Sequence, residues 1–468
     1  MGYKYKTKPY AHQEEALLKG AEAYSYAYFM EMGTGKTKVC IDNFSKLWLD
    51  KKIKVVIVIA PNSVYQNWKR EIDIHCPVET SVFTYKVNKI KDFKFEENKL
   101  NVFLMNVEAF SHKSGIETLK PLIEKYKEEC MMVIDESTTI KNRTAKRTKS
   151  LITLGRPVRY KRILTGSPIT KSPLDLFSQA NFLSPNLLGT DNFYVYRATY
   201  CVMHSINTGT KSFMIPQYYR NLDVLEKIIK TFSFRVRKED CLDLPDKVYQ
   251  KRIVTLGKEQ ADIYNQLKKE ARAIIEDKEI SYNNKLTEII KLLQVTAGFV
   301  NSDDGEIKNL KNAKLDELLN ILEETEGKVI IWANWVHTLE TIIKTLKKKF
   351  GEESTVANYG AISSKDREEA VELFQTNKNT RFFVSNPQTG GYGLTLTAAS
   401  TVIYFSNNYD LEQRQQSEDR AHRIGQKSNV LYIDIIAKNT IDEFIIKALN
   451  KKIKLSAQTL GEEVLSFL

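Results

Sequence analysis

The stretch Met32-Gly33-Thr34-Gly35-Lys36-Thr37 has the residue types and spacing of a phosphate-binding loop. Glycines let the backbone pass close to phosphate oxygens with its N–H groups pointing inward, and the N-terminus of a following helix adds a favourable dipole. Lys36 would then reach the β- and γ-phosphates, and the Thr37 hydroxyl would bind magnesium. The strict pattern has a further glycine at position 30, where this chain has Met30. The alternative is a glycine-rich turn that binds nothing.

An apolar run, Met131–Ile134, ends in the two carboxylates Asp135 and Glu136. Asp135 is expected to orient a magnesium ion and its water, and Glu136 to position or polarise an attacking water. Such a pair is common by chance, and Asp135 or Ser137 would also serve as a helix N-cap. The pair gains weight because it lies about 100 residues after the phosphate loop, a normal spacing in nucleotide-binding cores.

Two arginines, Arg420 and Arg423, lie three residues apart within Gln416–Gln426. On a helix this spacing places both side chains on one face. A guanidinium offers a fixed fork of donors to a transferring phosphate, and an arginine finger contributes about 10³- to 10⁵-fold in rate. The open alternative is a solvated helix with Glu–Arg ion pairs.

Strands alternate with helices in both halves of the chain, which predicts an α/β fold with parallel sheets. The predicted strands include Val55–Ala60, Val102–Met105, Met131–Ile134, Ile163-Leu164, Lys328–Ala333, Arg381–Ser385, Thr401–Ser406 and Val430–Ile436. The predicted helices include Lys38–Trp48, Thr338–Phe350, Lys365–Phe374 and Thr440–Ile453. Residues 171–325 show mainly helical patterns with few strand runs, namely Asp223–Phe232, Lys258–Asp277 and Asn284–Leu293. A boundary is expected near Asp240–Lys247, where Leu244-Pro245 interrupts the pattern.

The composition is that of a globular protein with a basic excess. Of 468 residues, 70 are Lys or Arg and 58 are Asp or Glu, so the net charge is +12, and 42% are hydrophobic. These values exclude a disordered chain, a collagen and a disulfide scaffold, and favour a polyanionic partner. The five cysteines never have a C-x-x-C spacing, and no zinc site is expected. With no apolar run long enough for a membrane and no signal peptide, a cytoplasmic location is expected.

The segment 141–162 contains nine basic residues and no acidic one, which suits contact with phosphates. The alternative is a solvated basic face. The basic residues are Lys141, Arg143, Lys146, Arg147, Lys149, Arg156, Arg159, Lys161 and Arg162. Further candidates for phosphate contact by hydroxyl or backbone groups are Asn62, Ser63, Thr165, Ser167, Thr389, Gly391 and Thr395. Such contacts carry no base identity, so binding should be independent of sequence, with a salt slope of about −0.9 per phosphate neutralised.

These segments together resemble the motifs of superfamily-two helicase ATPases, specifically the Swi/Snf-like DNA translocases of compact, phage or bacterial type. The resemblance runs from about residue 8 to about residue 455. Its motifs are Pro9-Tyr10 with Gln13, Glu31–Thr37, Pro61 with Trp68 and Glu71, Asp135-Glu136 with Ile140-Lys141-Asn142, Leu164–Pro168, Arg235–Lys238 with Leu244-Pro245, Gly390–Leu396 with Ala399, Gln416–Gln426, and Thr440–Lys452. Departures include Met30, Ser167, Asn407-Asn408-Tyr409, and Ser137-Thr138 where Ala-His is usual. The last puts coupling through that histidine in doubt.

The resemblance implies two RecA-like parallel-sheet lobes with helical insertions between the core motifs. Lobe 1 would span residues 1–240, with a core of about 1–170 and a protrusion of about 171–235. Lobe 2 would span 241–468, with a protrusion of about 256–320, a core of about 325–440 and a brace helix of about 440–455. The implied catalytic residues are Lys36, Asp135, Glu136, Arg420 and Arg423. The cofactors would be ATP, bound by Gln13, Gly33, Thr34, Gly35, Lys36, Thr37 and Gly393, and Mg²⁺, bound by Thr37 and Asp135.

The expected function is that of a DNA-dependent ATPase that moves along double-stranded DNA, remodelling branched DNA or displacing bound protein. The partner would be duplex or branched DNA recognised independently of sequence, with no membrane and a monomeric chain. One alternative is a strand-separating DNA or RNA helicase of the same superfamily. Another is a nucleic-acid clamp that does not hydrolyse ATP, and a third is an ATPase acting on a protein partner.

Overall fold

The computed structural model describes residues 3–61, 64–85, 94–207, 212–276, 282–301, 306–390 and 394–462. The chain divides into two compact units. The first comprises Met1–Val202, Pro216–Asp243 and Leu455–Val464, and the second comprises Met203–Ile215, Leu244–Lys454 and Leu465–Leu468. No helix of the described residues is long and apolar enough to cross a membrane.

Up to residue 241 the structure contains the strands and helices that the sequence predicts, together with further elements and a hairpin. They are α1 (Ala11–Gly20), β1 (Ser25–Met30), α2 (Lys36–Leu49), β2 (Val55–Ala60), α3 (Tyr65–His75), β3 (Thr80–Thr84), β4 (Leu100–Asn106), α4 (Lys113–Tyr126), β5 (Cys130–Asp135), α5 (Lys146–Gly155), β6 (Tyr160–Leu164), α6 (Leu176–Leu183), α7 (Phe193–Tyr200), β7 (Cys201–Asn207), β8 (Ser212–Tyr219), α8 (Leu222–Phe232), β9 (Ser233–Val236) and α9 (Lys238–Cys241).

The remaining elements again end in an α/β pattern. They are β10 (Lys247–Val254), α10 (Lys258–Glu276), α11 (Tyr282–Thr296), β11 (Phe299–Asn301), β12 (Ile307–Asn309), α12 (Ala313–Glu324), β13 (Lys328–Trp332), α13 (Val336–Phe350), β14 (Thr355–Asn358), α14 (Ser364–Thr376), β15 (Phe382–Ser385), α15 (Pro387–Gly390), β16 (Ala399–Tyr404), α16 (Leu411–Glu418), β17 (Val430–Ala437) and α17 (Ile441–Leu460).

The first unit is built on a sheet of strand order β3-β4-β2-β5-β6-β1-β9, in which neighbouring strands are parallel. Both faces are covered, because alternate residues of β2 pack into two different apolar clusters. Continuous apolar runs such as β2 and β5 suit strands that are buried on both faces. The carboxyl ends of parallel strands share one edge, so the segments after β1, β5 and β6 meet there.

The second unit is built on a sheet of strand order β10-β17-β16-β13-β15-β14, also parallel throughout. Val329 and Ile331 pack on one face of β13, while Ile330 and Trp332 pack on the other. The two sheets with their helices confirm the predicted α/β class and the two RecA-like lobes.

The prediction of few strands between residues 171 and 325 is wrong, because β7 to β12 lie there. β9 and β10 are edge strands of the two large sheets, and β7-β8 and β11-β12 are two-stranded sheets. An edge strand has one exposed side and therefore lacks the continuous apolar run of a central strand. The alternating burial of β10 has this character.

Candidate active site

The phosphate loop connects β1 to α2, as the sequence predicts. Gly33 and Gly35 adopt left-handed backbone conformations, with φ of 84° and 88°. Thr34 closes the loop, since its N–H and its hydroxyl both donate to the carbonyl of Glu31, at 3.3 Å and 2.8 Å. The Lys36 ammonium donates to the same carbonyl at 3.4 Å and is buried. Met30 is the last residue of β1 and packs into the apolar core, so its side chain lies away from the loop.

The predicted adenine-reading glutamine, Gln13, lies directly on the phosphate loop. Its side-chain amide donates to the Thr34 carbonyl at 3.0 Å, and its Oε1 accepts from the Tyr10 N–H at 3.1 Å. A Cβ at Gly35 would lie 2.2 Å from Gln13 Nε2, so this close approach requires glycine. His12 Nε2 also donates to the Thr34 carbonyl, at 2.8 Å. No role was predicted for His12 from the sequence, although its position beside Gln13 was an available signal.

The acid pair lies at the carboxyl end of β5. The Trp68 indole donates to Asp135 Oδ2 at 2.9 Å, and the Glu136 N–H donates to Asp135 Oδ1 at 2.9 Å. Burial raises the pKa of Asp135, and the positive charge of Lys36 opposes that rise. The lysine of the phosphate loop and the first carboxylate therefore act on one another in this unit. Glu136 is buried and has φ of 47°, an uncommon conformation for a residue with a side chain.

Ser137, one of the departures named above, connects the acid pair to the Leu164–Pro168 motif, here called the coupling motif. Its hydroxyl donates to Gln179 Oε1 at 2.7 Å, and the Gln179 amide donates to the Pro168 carbonyl at 2.8 Å. Ser137 and Gln179 are fully buried. Although the family's histidine is missing, Gln179 joins the segment after the acid pair to Pro168 by hydrogen bonds. Sequence reasoning missed this connection because Gln179 lies in α6, outside the motifs.

The coupling motif follows β6, the strand between β5 and β1. The Thr165 side chain is only 1% exposed, and its Oγ1 accepts from the Ser167 N–H at 3.2 Å. Arg235 donates to the Gly166 carbonyl at 2.8 Å and forms an ion pair with Glu462. Thr165 as a DNA contact therefore stays a prediction that its burial does not favour.

In the second unit Arg420 and Arg423 do not lie on a helix, so that prediction is wrong. Helix α16 ends at Glu418, and tight backbone hydrogen bonds such as Ala421 N–H to the Glu418 carbonyl turn the chain. Both arginines nevertheless converge, because each donates to the Leu394 carbonyl, at 3.3 Å and 3.1 Å. Arg420 is 2% exposed and Arg423 is half-buried. His422 between them donates to the Pro245 carbonyl at 2.7 Å.

The basic segment divides into an exposed and a buried part. Lys146 is exposed and Arg143 and Arg147 are half-buried, near the start of α5. Half-buried Lys141 donates to Thr170 Oγ1 at 2.8 Å. Lys161 and Arg162, by contrast, are buried residues of β6, so their inclusion in a phosphate-binding surface is wrong.

The remaining candidates are only partly placed. Thr389 and Thr395 are half-buried residues of the second unit. Asn62, Ser63, Gly391 and Gly393 lie outside the described residues. Within the described ranges no cluster of three or more His, Cys, Asp or Glu side chains could hold a metal ion. A single carboxylate with a hydroxyl, such as Asp135 with Thr37, is compatible with magnesium, which keeps most of its waters.

A cavity of about 930 Å³ opens beside α1 in the first unit. Its wall includes Tyr10, which is 52% exposed, and His12, both next to Gln13. The cavity lining combines aromatic rings, such as Tyr10 and Phe234, with charged side chains, such as Lys19.

Comparison with known relatives places the chain among helicase-type proteins. It is 28% identical over 441 residues to an uncharacterized ATP-dependent helicase, MG018, of Mycoplasma genitalium, covering 93% of this chain and 40% of the relative. It is 28% identical over 434 residues to the human DNA annealing helicase and endonuclease ZRANB3, covering 92% of this chain and 38% of the relative. The chain thus spans about two-fifths of the length of these relatives.

Among solved structures, the chain matches the Sulfolobus solfataricus SWI2/SNF2 ATPase core in complex with dsDNA, with 24% identity, 97% and 93% coverage and a TM-score of 0.45. The SNF2-related domain model matches residues 28–304, more than half of the chain. The helicase conserved C-terminal domain model matches residues 310–425. Because the SNF2-related domain model covers more than half of the chain, the chain belongs to the SNF2-related family of helicase-type ATP hydrolases.

Proposed function

We propose that the chain is a DNA-dependent ATPase that translocates on double-stranded DNA, remodelling branched DNA or displacing bound protein. The observation that supports this most directly is that Lys36 follows β1 and the Asp135-Glu136 pair follows β5, two strands whose carboxyl ends share one edge of the first parallel sheet. The charge of Lys36 acts on the Asp135 carboxyl. A phosphate-binding cation and a buried carboxylate pair at one edge are the parts that hydrolysis of a γ-phosphate needs.

Each side chain has a proposed part in the reaction. Glu136 orients the attacking water and accepts its proton, while Lys36 neutralises charge on the β- and γ-phosphates. Arg420 and Arg423 stabilise the charge that develops in the transition state. The proposed magnesium ligands are Thr37 and Asp135, and the ion, when bound, neutralises phosphate charge. Trp68 fixes the Asp135 carboxylate by its hydrogen bond of 2.9 Å.

Gln13 and the phosphate loop form the proposed adenine side of the site. The Gln13 side chain is held between the Tyr10 N–H and the Thr34 carbonyl. A nucleotide base that contacts Gln13 would therefore be connected to the phosphate loop through one side chain. Tyr10, exposed on the wall of the adjoining cavity, offers a ring face for packing against the base.

DNA is the proposed partner for two reasons. The chain has a net charge of +12, and the exposed part of its basic segment follows the acid pair within a few residues. The human relative is named a DNA annealing helicase. Contacts from Lys141, Arg143, Lys146 and Arg147 would reach phosphates and carry no base identity, so we propose binding that does not depend on sequence.

The test is steady-state ATP hydrolysis without nucleic acid and with duplex DNA, forked DNA, single-stranded DNA or RNA. We expect duplex and forked DNA to give the strongest stimulation, and Lys36→Ala to give the blank rate. Lys120→Ala is a matched control, since Lys120 is an exposed lysine of the same unit in α4.

Each other outcome would indicate a different function for this chain. Stimulation by RNA or single strands alone would favour a strand-separating helicase. Hydrolysis that no nucleic acid changes would indicate a protein-directed ATPase, and the absence of hydrolysis in every condition would indicate a clamp. Any of these three results contradicts the proposal.

A further inference from the structure

Four side chains of the first unit form a mixed aromatic and cationic surface, here named the aromatic platform: Arg143, Phe193, Tyr194 and Arg197. The Arg143 guanidinium lies 4.3 Å from the centre of the Phe193 ring and 5.2 Å from that of Tyr194. The Arg197 guanidinium lies 5.3 Å from the Tyr194 ring centre. Tyr194 is 58% exposed. Two cations therefore border one exposed aromatic ring.

The platform rests on a fixed support. Asn192 caps α7, because its side chain accepts the Tyr194 N–H at 2.8 Å. On the opposite face of the helix Tyr196 is fully buried, donates its hydroxyl to the Pro173 carbonyl at 2.9 Å and packs against the Phe177 ring. The exposure of Tyr194 is thus a property of a well-anchored helix. A pre-positioned ring loses little conformational freedom when a ligand packs on it.

The platform is also close in sequence to the proposed ATP chemistry. Arg143 follows Glu136 by seven residues. The segment between them is anchored, since Lys141 donates to Thr170 Oγ1 at 2.8 Å and Ser137 donates to Gln179. A ligand on Arg143 would therefore contact the same short segment that carries the proposed water-positioning carboxylate.

A second arginine–tyrosine pair on the same unit serves as a comparison. Tyr24 is 57% exposed, and the Arg159 guanidinium lies 5.3 Å from its ring centre. The platform differs because two guanidinium groups, Arg143 and Arg197, border the Tyr194 ring, whereas only Arg159 is described beside the Tyr24 ring. Exposed rings with flanking cations are the groups that bind nucleic-acid bases and their phosphates together.

We infer that the aromatic platform binds the unpaired bases at the junction of branched DNA. A base would stack on the Tyr194 ring, and Arg143 and Arg197 would donate to the adjoining phosphates. In an intact duplex the base faces are covered by their neighbours, so this site selects a junction over a duplex without reading sequence. The inference rests on the proposed function, because it takes DNA as the partner.

The test compares nucleotide-free binding of a forked DNA and a blunt duplex with the same number of phosphates, by fluorescence anisotropy at one salt concentration. We expect the unmodified chain to bind the fork about tenfold more tightly, which one stacked base can supply. Tyr194→Ala should remove this preference, and Tyr194→Phe should keep it, because the ring remains. Arg197→Ala is a second variant, with an expected loss of about threefold for the fork.

Tyr24→Ala is the matched control, because it removes an exposed ring that lies beside one guanidinium elsewhere on the same unit. Circular dichroism and thermal unfolding verify that each variant is folded. Equal binding of fork and duplex by the unmodified chain would overturn the inference. A fork preference that survives in Tyr194→Ala, or that Tyr24→Ala loses equally, would also overturn it.

The binding assay separates this inference from the proposed function. Hydrolysis by the unmodified chain that duplex DNA stimulates, together with equal binding of fork and duplex, would support the translocase and overturn the platform. A fork preference lost in Tyr194→Ala, together with hydrolysis that no DNA stimulates, would support the platform and contradict the translocase.

Discussion

The catalytic candidates of the first unit and those of the second are held in place by different means. Asp135 is the last residue of β5, and Lys36 is the first residue of α2 after the loop that follows β1, so strands of one buried parallel sheet place both residues. Arg420 and Arg423 lie in a turn after α16, and both donate to the Leu394 carbonyl. The first set is therefore placed by regular strands of one sheet, whereas the second is placed by a turn whose two arginines share a backbone acceptor.

This difference has a functional reading under the proposed mechanism. A site for a phosphate that is always bound in one place benefits from a rigid sheet edge. Charges that are needed only in the transition state can be carried by a segment that changes its hydrogen bonds. Leu394 itself belongs to the Gly390–Leu396 motif, so movement of Leu394 would change the orientation of both guanidinium groups.

The largest expected effect comes from the arginines. Arg423→Ala should lower the rate of ATP hydrolysis at saturating ATP and DNA by about 10³-fold or more, because the charge on the transferring phosphoryl group loses its donor. The measurement is steady-state hydrolysis with thermal unfolding in parallel. Arg423→Lys should restore little, since an ammonium cannot reproduce the fork of donors.

Arg381→Ala is the control for that variant. Arg381 is another arginine of the second unit that donates to carbonyls, those of Gly327 at 3.0 Å and Leu322 at 2.7 Å, but it lies outside the motifs. It should lose stability and keep its rate within a few-fold. Equal rate losses for Arg381→Ala and Arg423→Ala would show that Arg423 acts on the fold.

Glu136→Gln should lower the hydrolysis rate by about 10²-fold or more, because the amide cannot accept the proton of the attacking water. Binding of ATP should remain, which equilibrium binding of a fluorescent ATP analogue would measure. Glu129→Gln is the matched control, since Glu129 immediately precedes the amino end of the same strand and pairs with Lys54 on the surface. Loss of ATP binding in Glu136→Gln would instead indicate damage to the phosphate loop.

The sequence predicted the regular buried strands better than the edge strands and turns. Long apolar runs such as Val55–Ala60, followed by residues with special chemistry, predicted the central strands and the sheet-edge site, because burial on both faces leaves a continuous pattern. The placement of Lys36, Asp135 and Glu136 at one edge of the sheet then followed from the parallel arrangement of the strands. Edge strand β10 was missed because most of its residues are half-buried or exposed, and β9 was missed because it is only four residues long and contains Ser233 and Arg235.

The spacing of Arg420 and Arg423 was ambiguous in a way that periodicity cannot resolve. A separation of three places two residues on one face of a helix, but it also occurs in successive tight turns, which the 102° φ of Gly425 helps to end here. Arg162 shows that a run of basic residues in the sequence is ambiguous in the same way, because it does not reveal which of them are exposed. The sequence shows nine basic residues, and only the sheet shows that the last two lie inside it.

That buried arginine provides a test of stability. Arg162 donates to Asn43 Oδ1, to the Lys161 carbonyl and to the Gly20 carbonyl, each at 2.8 Å. Arg162→Met should lower the free energy of unfolding by about 3 kcal/mol, because buried acceptors lose a charged donor. Urea unfolding measures the effect. Arg159→Met, at an exposed position close by, should cost less than about 1 kcal/mol, and equal costs would contradict a structural role specific to Arg162.

The smallest expected effect belongs to the exposed part of the same segment. Lys146 is the first residue of α5 and is exposed, so its side chain is free of the packing that holds Arg162. Lys146→Ala should lower the magnitude of the slope of log K against log salt concentration by about 1 for duplex binding, because one phosphate contact and its counterion release are lost. Unfolding should be unchanged. Binding titrations over a range of salt concentrations measure the slope, and Lys120→Ala on α4 should leave it as it is. An equal change in both variants would assign the effect to net charge rather than to a contact made at α5.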